Sequence, residues 1–287
     1  MSLPTMPMAA DAPIGIFDSG VGGLSVLRHI RIDLPHEHLL YFADSGYAPY
    51  GERSETEIVE RTLAIAQFLL AQGAKALVVA CNTATAAAIS ALRRHYPSLI
   101  VVGIEPGLKP AAQQSRSRQV GVLATRATLA SARFIALHDQ LSAATGVRFH
   151  NAACIGLADQ IEQGALTAAP TAQLLQGHLK TLLAQQIDTL VLGCTHYPFV
   201  QPLIEETLRS LGAPEIGIID TGVAVSRQLT RLIDTAGLRR APASGSGTLS
   251  AYTSASAASL QNAFSTLLQM TPTVTAVAPQ SRVVNAV

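Results

Sequence analysis

The chain has 287 residues, enough for one large or two modest domains with ample core. Its 48% hydrophobic and 14% charged content is that of a soluble globular protein, and a formal net charge of +1 gives no electrostatic case for nucleic acid or an anionic membrane. No apolar run reaches the ~20 residues that span a bilayer, the start MSLPTMPMAADAP lacks the order of a secretion signal, and three cysteines without CxxC spacing argue against a disulfide framework or a zinc cage and for reduced thiols in a cytoplasm.

In chain order, residues 1–12 read as a loose arm rich in Pro, Ala and Met. The apolar run 14–17 (IGIF) reads as a buried first strand, and DSGVGG at 18–23 turns it into a helix through about residue 30. The glycines allow close backbone approach to a ligand, and a helix start offers free N–H groups to an anion. GVGG matches neither the dinucleotide fingerprint nor the P-loop. A second strand is expected at 39–43, then a polar loop, ADSGYAPYG, through residue 51. Ser54 and Glu57 form a capping box for a helix whose core face carries Ile58, Leu63, Ala66 and Leu70 and which Gly73 ends. Strand 77–80 delivers Cys81 to the start of a helix running to about residue 94. Another strand is expected at 99–104.

From residue 120 the rhythm restarts, since VGVLATRATLAS resembles IGIFDSGVGGLS. Aligning Gly15 with Gly121 sets Asp18 opposite Ala124 and Ser19 opposite Thr125. Strands follow at 148–152 and 189–193, with a helix opened by Pro170 between them. The second of these strands ends on Cys194. A strand at 216–219, a helix from Asp220-Thr221-Gly222 to residue 235, a flexible break at 241–247, a strand at 249–253 and a helix at 257–268 complete the pattern. An edge strand is expected in the last dozen residues. The alternation gives an α/β fold of two similar three-layer domains with mostly parallel sheets, pseudo-twofold related, with a site in the cleft between them. The expected domains are residues 1–105 plus 216–287, carrying Cys81, and residues 106–215, carrying Cys194.

In an open α/β sheet, ligands bind outside the carboxyl ends of the strands. Cys81 and Cys194 both stand there, and a thiol facing a helix start is favoured as thiolate. Cys154 matches neither setting and reads as a small core residue. His196, two residues past Cys194, can reach the same strand end and move a proton to or from that thiol; Asp18 can do the same for Cys81, or cap its helix. Ser19, Asn82, Thr83 and Thr195 are small donors at helix starts, which serve as caps, as ligand contacts or as both. A thiolate on one face of a carbon and a thiol on the other can invert a stereocentre without a cofactor. A redox pair would instead need the sulfurs about 2 Å apart.

DSGVGGLSV, PYG, ACNTAT, GIEPGLKPA, LGCTHYP and IDTG, over about residues 14–270, resemble the glutamate racemases of the aspartate/glutamate racemase superfamily. The resemblance implies a cofactor-independent enzyme that interconverts L- and D-glutamate for bacterial peptidoglycan. It implies that Cys81 acts on the D-enantiomer and Cys194 on the L-enantiomer, supported by Asp18 and His196, with Glu162 in QIEQG near the second cysteine. Implied substrate contacts are Asp18, Ser19, Tyr50, Gly51, Asn82, Thr83, Thr195 and His196. No metal is implied, and homodimers are usual. Aspartate racemases typically carry Glu where His196 stands. Readings that stay open are a relative acting on aspartate, a hydantoin or a malonate, and a ligand-binding regulator on the same fold.

Overall fold

The computed structural model describes residues 9–242 and 245–277. The expectations for residues 1–8 and 278–287 lie outside it. Among the described residues, ten strands form two sheets, and every pairing is parallel. The first sheet contains β1 (Ile14–Asp18), β2 (Leu39–Ala43), β3 (Ala76–Val79), β4 (Ile100–Gly103), β9 (Leu249–Thr253) and β10 (Thr273–Ala276), in the order β10-β9-β2-β1-β3-β4. The second contains β5 (Gln119–Ala124), β6 (Arg148–Ala153), β7 (Thr189–Gly193) and β8 (Gly217–Ile219), in the order β6-β5-β7-β8. Parallel sheets are covered on both faces, so the inner strands β2, β3 and β7 are buried along their whole length, while β6 and β10 at the sheet borders are partly exposed. On β1, Ile14 and Ile16 enter one core and Phe17 the other; on β5, Val120 and Val122 oppose Leu123 in the same way.

The two sheets share a plan. β2-β1-β3-β4 corresponds to β6-β5-β7-β8, and the central glycines are in matching register: Gly15 is paired with Leu77, and Gly121 with Leu190. Both glycines admit a helix closely. A Cβ on Gly15 would stand 3.2 Å from Leu69, and one on Gly121 would stand 3.1 Å from Leu182. This packing underlies the faint repeat in the sequence, and it places Asp18 and Ala124 at equivalent strand ends.

Three expectations need correction. The strand near residue 216 does not return to the first sheet: β8 pairs with β7, and the chain rejoins the first half only after Ile219, through helix Gly222–Thr235. The edge strand expected in the last dozen residues falls almost wholly outside the described residues; among those described, β10, which ends at Ala276, is at the border of the first sheet. The helix Glu55–Ala71 has its capping box, with Ser54 Oγ accepting from the Glu57 N–H at 3.3 Å, but its buried face is shifted. Arg61, Thr62, Ile65 and Leu69 are buried with Ile58 and Ala66, while Leu63 and Leu70 are only partly covered. The arm is also fixed from residue 10 onward. Lys75 Nζ, fully buried, donates to Ala10 O at 2.5 Å, Leu238 O at 2.8 Å and Glu37 Oε2 at 2.5 Å. Glu37 Oε1 accepts from the Arg240 N–H at 2.8 Å, and Arg240 Nε donates to Asp11 at 3.1 Å.

Among the described residues, no helix is long and apolar enough to cross a membrane.

Candidate active site

Cys81 follows β3 as the N-cap of helix Asn82–His95. Its backbone is still extended, so the side chain turns back over the first helical turn. Sγ accepts from the Ala84 N–H at 3.4 Å and donates to Ser19 Oγ at 3.7 Å. The Ala84 N–H, and the Ser19 hydroxyl where it turns to donate to the sulfur, favour a thiolate, as the helix start predicts. Burial opposes them and wins: with the Asp18 charge nearby, it pushes the Cys81 thiol up to about 12. Burial thus outweighs the bias towards thiolate that the position of Cys81 alone would give.

Cys194 follows β7, the counterpart of β3, but no α-helix starts there. Tyr197–Val200 forms a 3-10 turn and the α-helix opens at Gln201, with Pro198 and Pro202 in the first two positions of each. The charge setting of Cys194 comes from side chains instead. Its Sγ lies 3.5 Å from His196 Nδ1, and His196 Nε2 lies 2.6 Å from Glu162 Oε1. The same Glu162 oxygen accepts from the Val21 N–H at 2.7 Å, so the relay reaches across to the first half. Burial alone would pull His196 down; the hydrogen bond and charge of Cys194, then those of Glu162, outweigh it and hold the imidazolium well above its usual range. Burial would likewise raise the Glu162 carboxyl, and the His196 hydrogen bond and charge bring it below the usual range.

Asp18 is fully buried behind the wall of the cleft. Oδ1 accepts from the Gly20 N–H at 2.8 Å, the capping use; Oδ2 accepts from Thr195 Oγ1 at 3.0 Å, across the halves. Its hydrogen bonds therefore serve the turn and the Cys194 side. It faces Cys81 only as a nearby charge. Burial is the main cause that raises its carboxyl.

The halves enclose a cleft of about 430 Å³, its open mouth included. Ser19, Tyr50, Gly51, Cys81, Asn82 and Thr83 line it from the first half; Glu162, Cys194, Thr195 and His196 line it from the second. Every predicted site residue except Asp18 is on this wall. Asn82 Oδ1 and Nδ2 are both buried without a hydrogen-bond partner among the described residues, a cost that a polar ligand would remove. Tyr50 presents its ring, because its hydroxyl donates to Asp44 Oδ2 at 2.5 Å. Thr125 and Asp159 also line the cleft and were not predicted. Thr125 caps helix Arg126–Ala130 and shares a 3.1 Å hydrogen bond with Thr83 across the cleft. Its signal was available, since the repeat places it opposite Ser19. Cys154 stays in the core, 4% exposed, with Sγ on Ala152 O at 3.6 Å. Among the described residues, no group of three or more His, Cys, Asp and Glu side chains is placed to hold a metal ion.

Comparison with known proteins agrees with this architecture. The Asp/Glu/Hydantoin racemase family model matches residues 24–229. The glutamate racemase of Ectopseudomonas mendocina is 58% identical over 224 residues, which are 78% of this chain and 83% of that protein. Among solved structures, glutamate racemase isoform RacE1 from Bacillus anthracis aligns with a TM-score of 0.82 at 31% identity, covering 93% of this chain and 97% of that one. The glutamate racemase of Francisella tularensis, solved in complex with D-glutamate, aligns with a TM-score of 0.81 at 25% identity, covering 95% and 99%. The chain belongs to the Asp/Glu/Hydantoin racemase family.

Proposed function

We propose that the protein racemises glutamate by a two-base mechanism without a cofactor, supplying D-glutamate for peptidoglycan in the cytoplasm. One observation carries the reading: two thiols, each at the carboxyl end of an equivalent strand in its own sheet, line a single cleft. High identity to proteins named glutamate racemase supports the substrate. The homodimer expected from the resemblance is part of the same proposal.

The two thiols act on opposite faces of the substrate carbon. In the L-to-D sense, a Cys194 thiolate removes the Cα proton and the neutral Cys81 thiol delivers one to the opposite face. Cys194 then carries the proton, Cys81 carries the charge, and exchange with solvent resets the pair. His196 at 3.5 Å balances the negative charge on Cys194 while Glu162 holds the ring. Asp18 orders Thr195 and contributes charge beside Cys81. The Cα–H bond is a very weak acid, so charge developing on the carboxylate needs fixed donors. The Asn82 amide and the Ser19, Thr83 and Thr195 hydroxyls are placed to supply them.

The test is L-glutamate in D₂O with reduced protein. Optical rotation should decay while deuterium enters Cα; rotation that stays constant sinks the proposal. A second prediction concerns Glu162→Gln. Glu162 helps to raise His196, so its neutralisation lets the imidazolium lose its proton at lower pH. The alkaline limb of the kcat/KM profile for L-glutamate should move to lower pH. A limb at the wild-type position would show that Glu162 does not tune the ring.

A further inference from the structure

One buried ion pair near the cleft has no part in the thiol chemistry. Residues 44–53 connect β2 to helix Glu55–Ala71 and give the cleft Ala48, Pro49, Tyr50 and Gly51. Asp44 is fully buried at the start of this loop, and Arg61 is the charged residue on the buried face of the helix. Arg61 Nε donates to Asp44 Oδ2 at 3.0 Å and Nη2 donates to Oδ1 at 2.7 Å, a bidentate pair. The Tyr50 hydroxyl donates to the same Oδ2 at 2.5 Å. The Arg61 guanidinium also stacks 3.6 Å above the Tyr47 ring.

We propose that Asp44 and Arg61 are positioning residues for the reaction: acting through the Tyr50 hydroxyl, they hold the 44–53 loop as one wall of the substrate cleft. The inference deepens the glutamate racemase reading and rests on it. An ion pair serving stability alone needs only the bidentate contact. The third bond ties the pair to a residue that lines the cleft. The Asp44 N–H donates to Asp18 O at 3.0 Å, which anchors the clamp to the strand end preceding Ser19. At the far side of the loop, Gly51 packs on the second half: a Cβ there would stand 3.3 Å from Thr125 Cβ. The loop position therefore sets the gap that the substrate enters. Burial, then the Asp44 charge, holds the Tyr50 phenol far above its usual range. It remains a hydrogen-bond donor and takes no proton from substrate.

The experiment compares wild type, Tyr50→Phe and Asp44→Asn in two assays. In ligand-free protein, amide hydrogen exchange over residues 45–53 should quicken by at least about tenfold in both variants, with β1 and β3 unchanged. With L-glutamate, KM should rise by at least about fivefold, and by more than kcat falls, as expected when a binding wall is loosened and the reacting groups remain. Unchanged exchange, a smaller rise in KM, or a fall in kcat that exceeds the rise in KM overturns the proposal. Tyr50→Phe keeps the ion pair, so it decides the matter if Asp44→Asn does not fold. If wild type fails to racemise glutamate, the racemase reading fails, and the exchange assay still judges the clamp.

Discussion

Cys81→Ser and Cys194→Ser should each lower kcat by about 10²–10⁴-fold in both directions, the usual contribution of a positioned proton-transfer group. A serine hydroxyl fills nearly the same space but is a far weaker acid. Each thiol is within 6% of full burial, so folding should survive the exchange of sulfur for oxygen. The variants should differ in their residual chemistry. With Cys194 replaced, Cys81 can still remove and return a proton on its own face, so D-glutamate should take up deuterium slowly without inversion. With Cys81 replaced, the same should hold for L-glutamate. Proton NMR in D₂O reads both. Full turnover in either variant removes that cysteine from the mechanism, and wash-in on the wrong enantiomer reverses the assignment of faces.

Lys75→Met should be the most destabilising of the single changes considered. Removing one partner of a buried pair typically costs about 3–5 kcal/mol, because the other charge is left uncompensated. Here the stranded group is Glu37, 1% exposed, whose Oε2 is held by Lys75 at 2.5 Å. The backbone carbonyls of Ala10 and Leu238 lose their donor as well. At roughly 2–4 °C per kcal/mol for a protein of this size class, the melting temperature should fall by about 6–20 °C. Lys75→Met with Glu37→Gln should recover much of the loss, since Gln keeps an acceptor for the Arg240 N–H and carries no charge. A double variant no better than the single would show that the lost carbonyl contacts, and not the buried charge, dominate.

Much of this architecture was legible because buried parallel strands carry their own signature. The runs at 39–43, 189–193 and 249–253 coincide with β2, β7 and β9 to the residue. Both cysteines were found by the same logic, as polar breaks at the ends of apolar runs. What escaped was information that lies between segments. Nothing local in GII at Gly217–Ile219 says which sheet will pair with it, and the partner β7 decided it. The relay from Glu162 to His196 joins residues 34 apart, and no period or spacing announces it. On helix Glu55–Ala71 hydrophobicity alone does not mark the buried face, because Arg61 and Thr62 are buried while Leu63 and Leu70 are only partly covered. Arg61 is buried by its bond to Asp44, a partner that can be identified only once β2 and the helix are packed together. The 3-10 turn after Cys194 was readable in part, since Pro198 removes a donor where a helix would begin.

The return of the chain to its first sheet has a consequence during synthesis. The outer side of β2 is completed only by β9, which leaves the ribosome after the whole second half. Until then LLYFA presents an unpaired apolar edge, the kind of surface on which nascent chains stick to one another. The second half, by contrast, has all four of its strands before β9 is made, so its sheet can close while the first sheet still waits for its border strands.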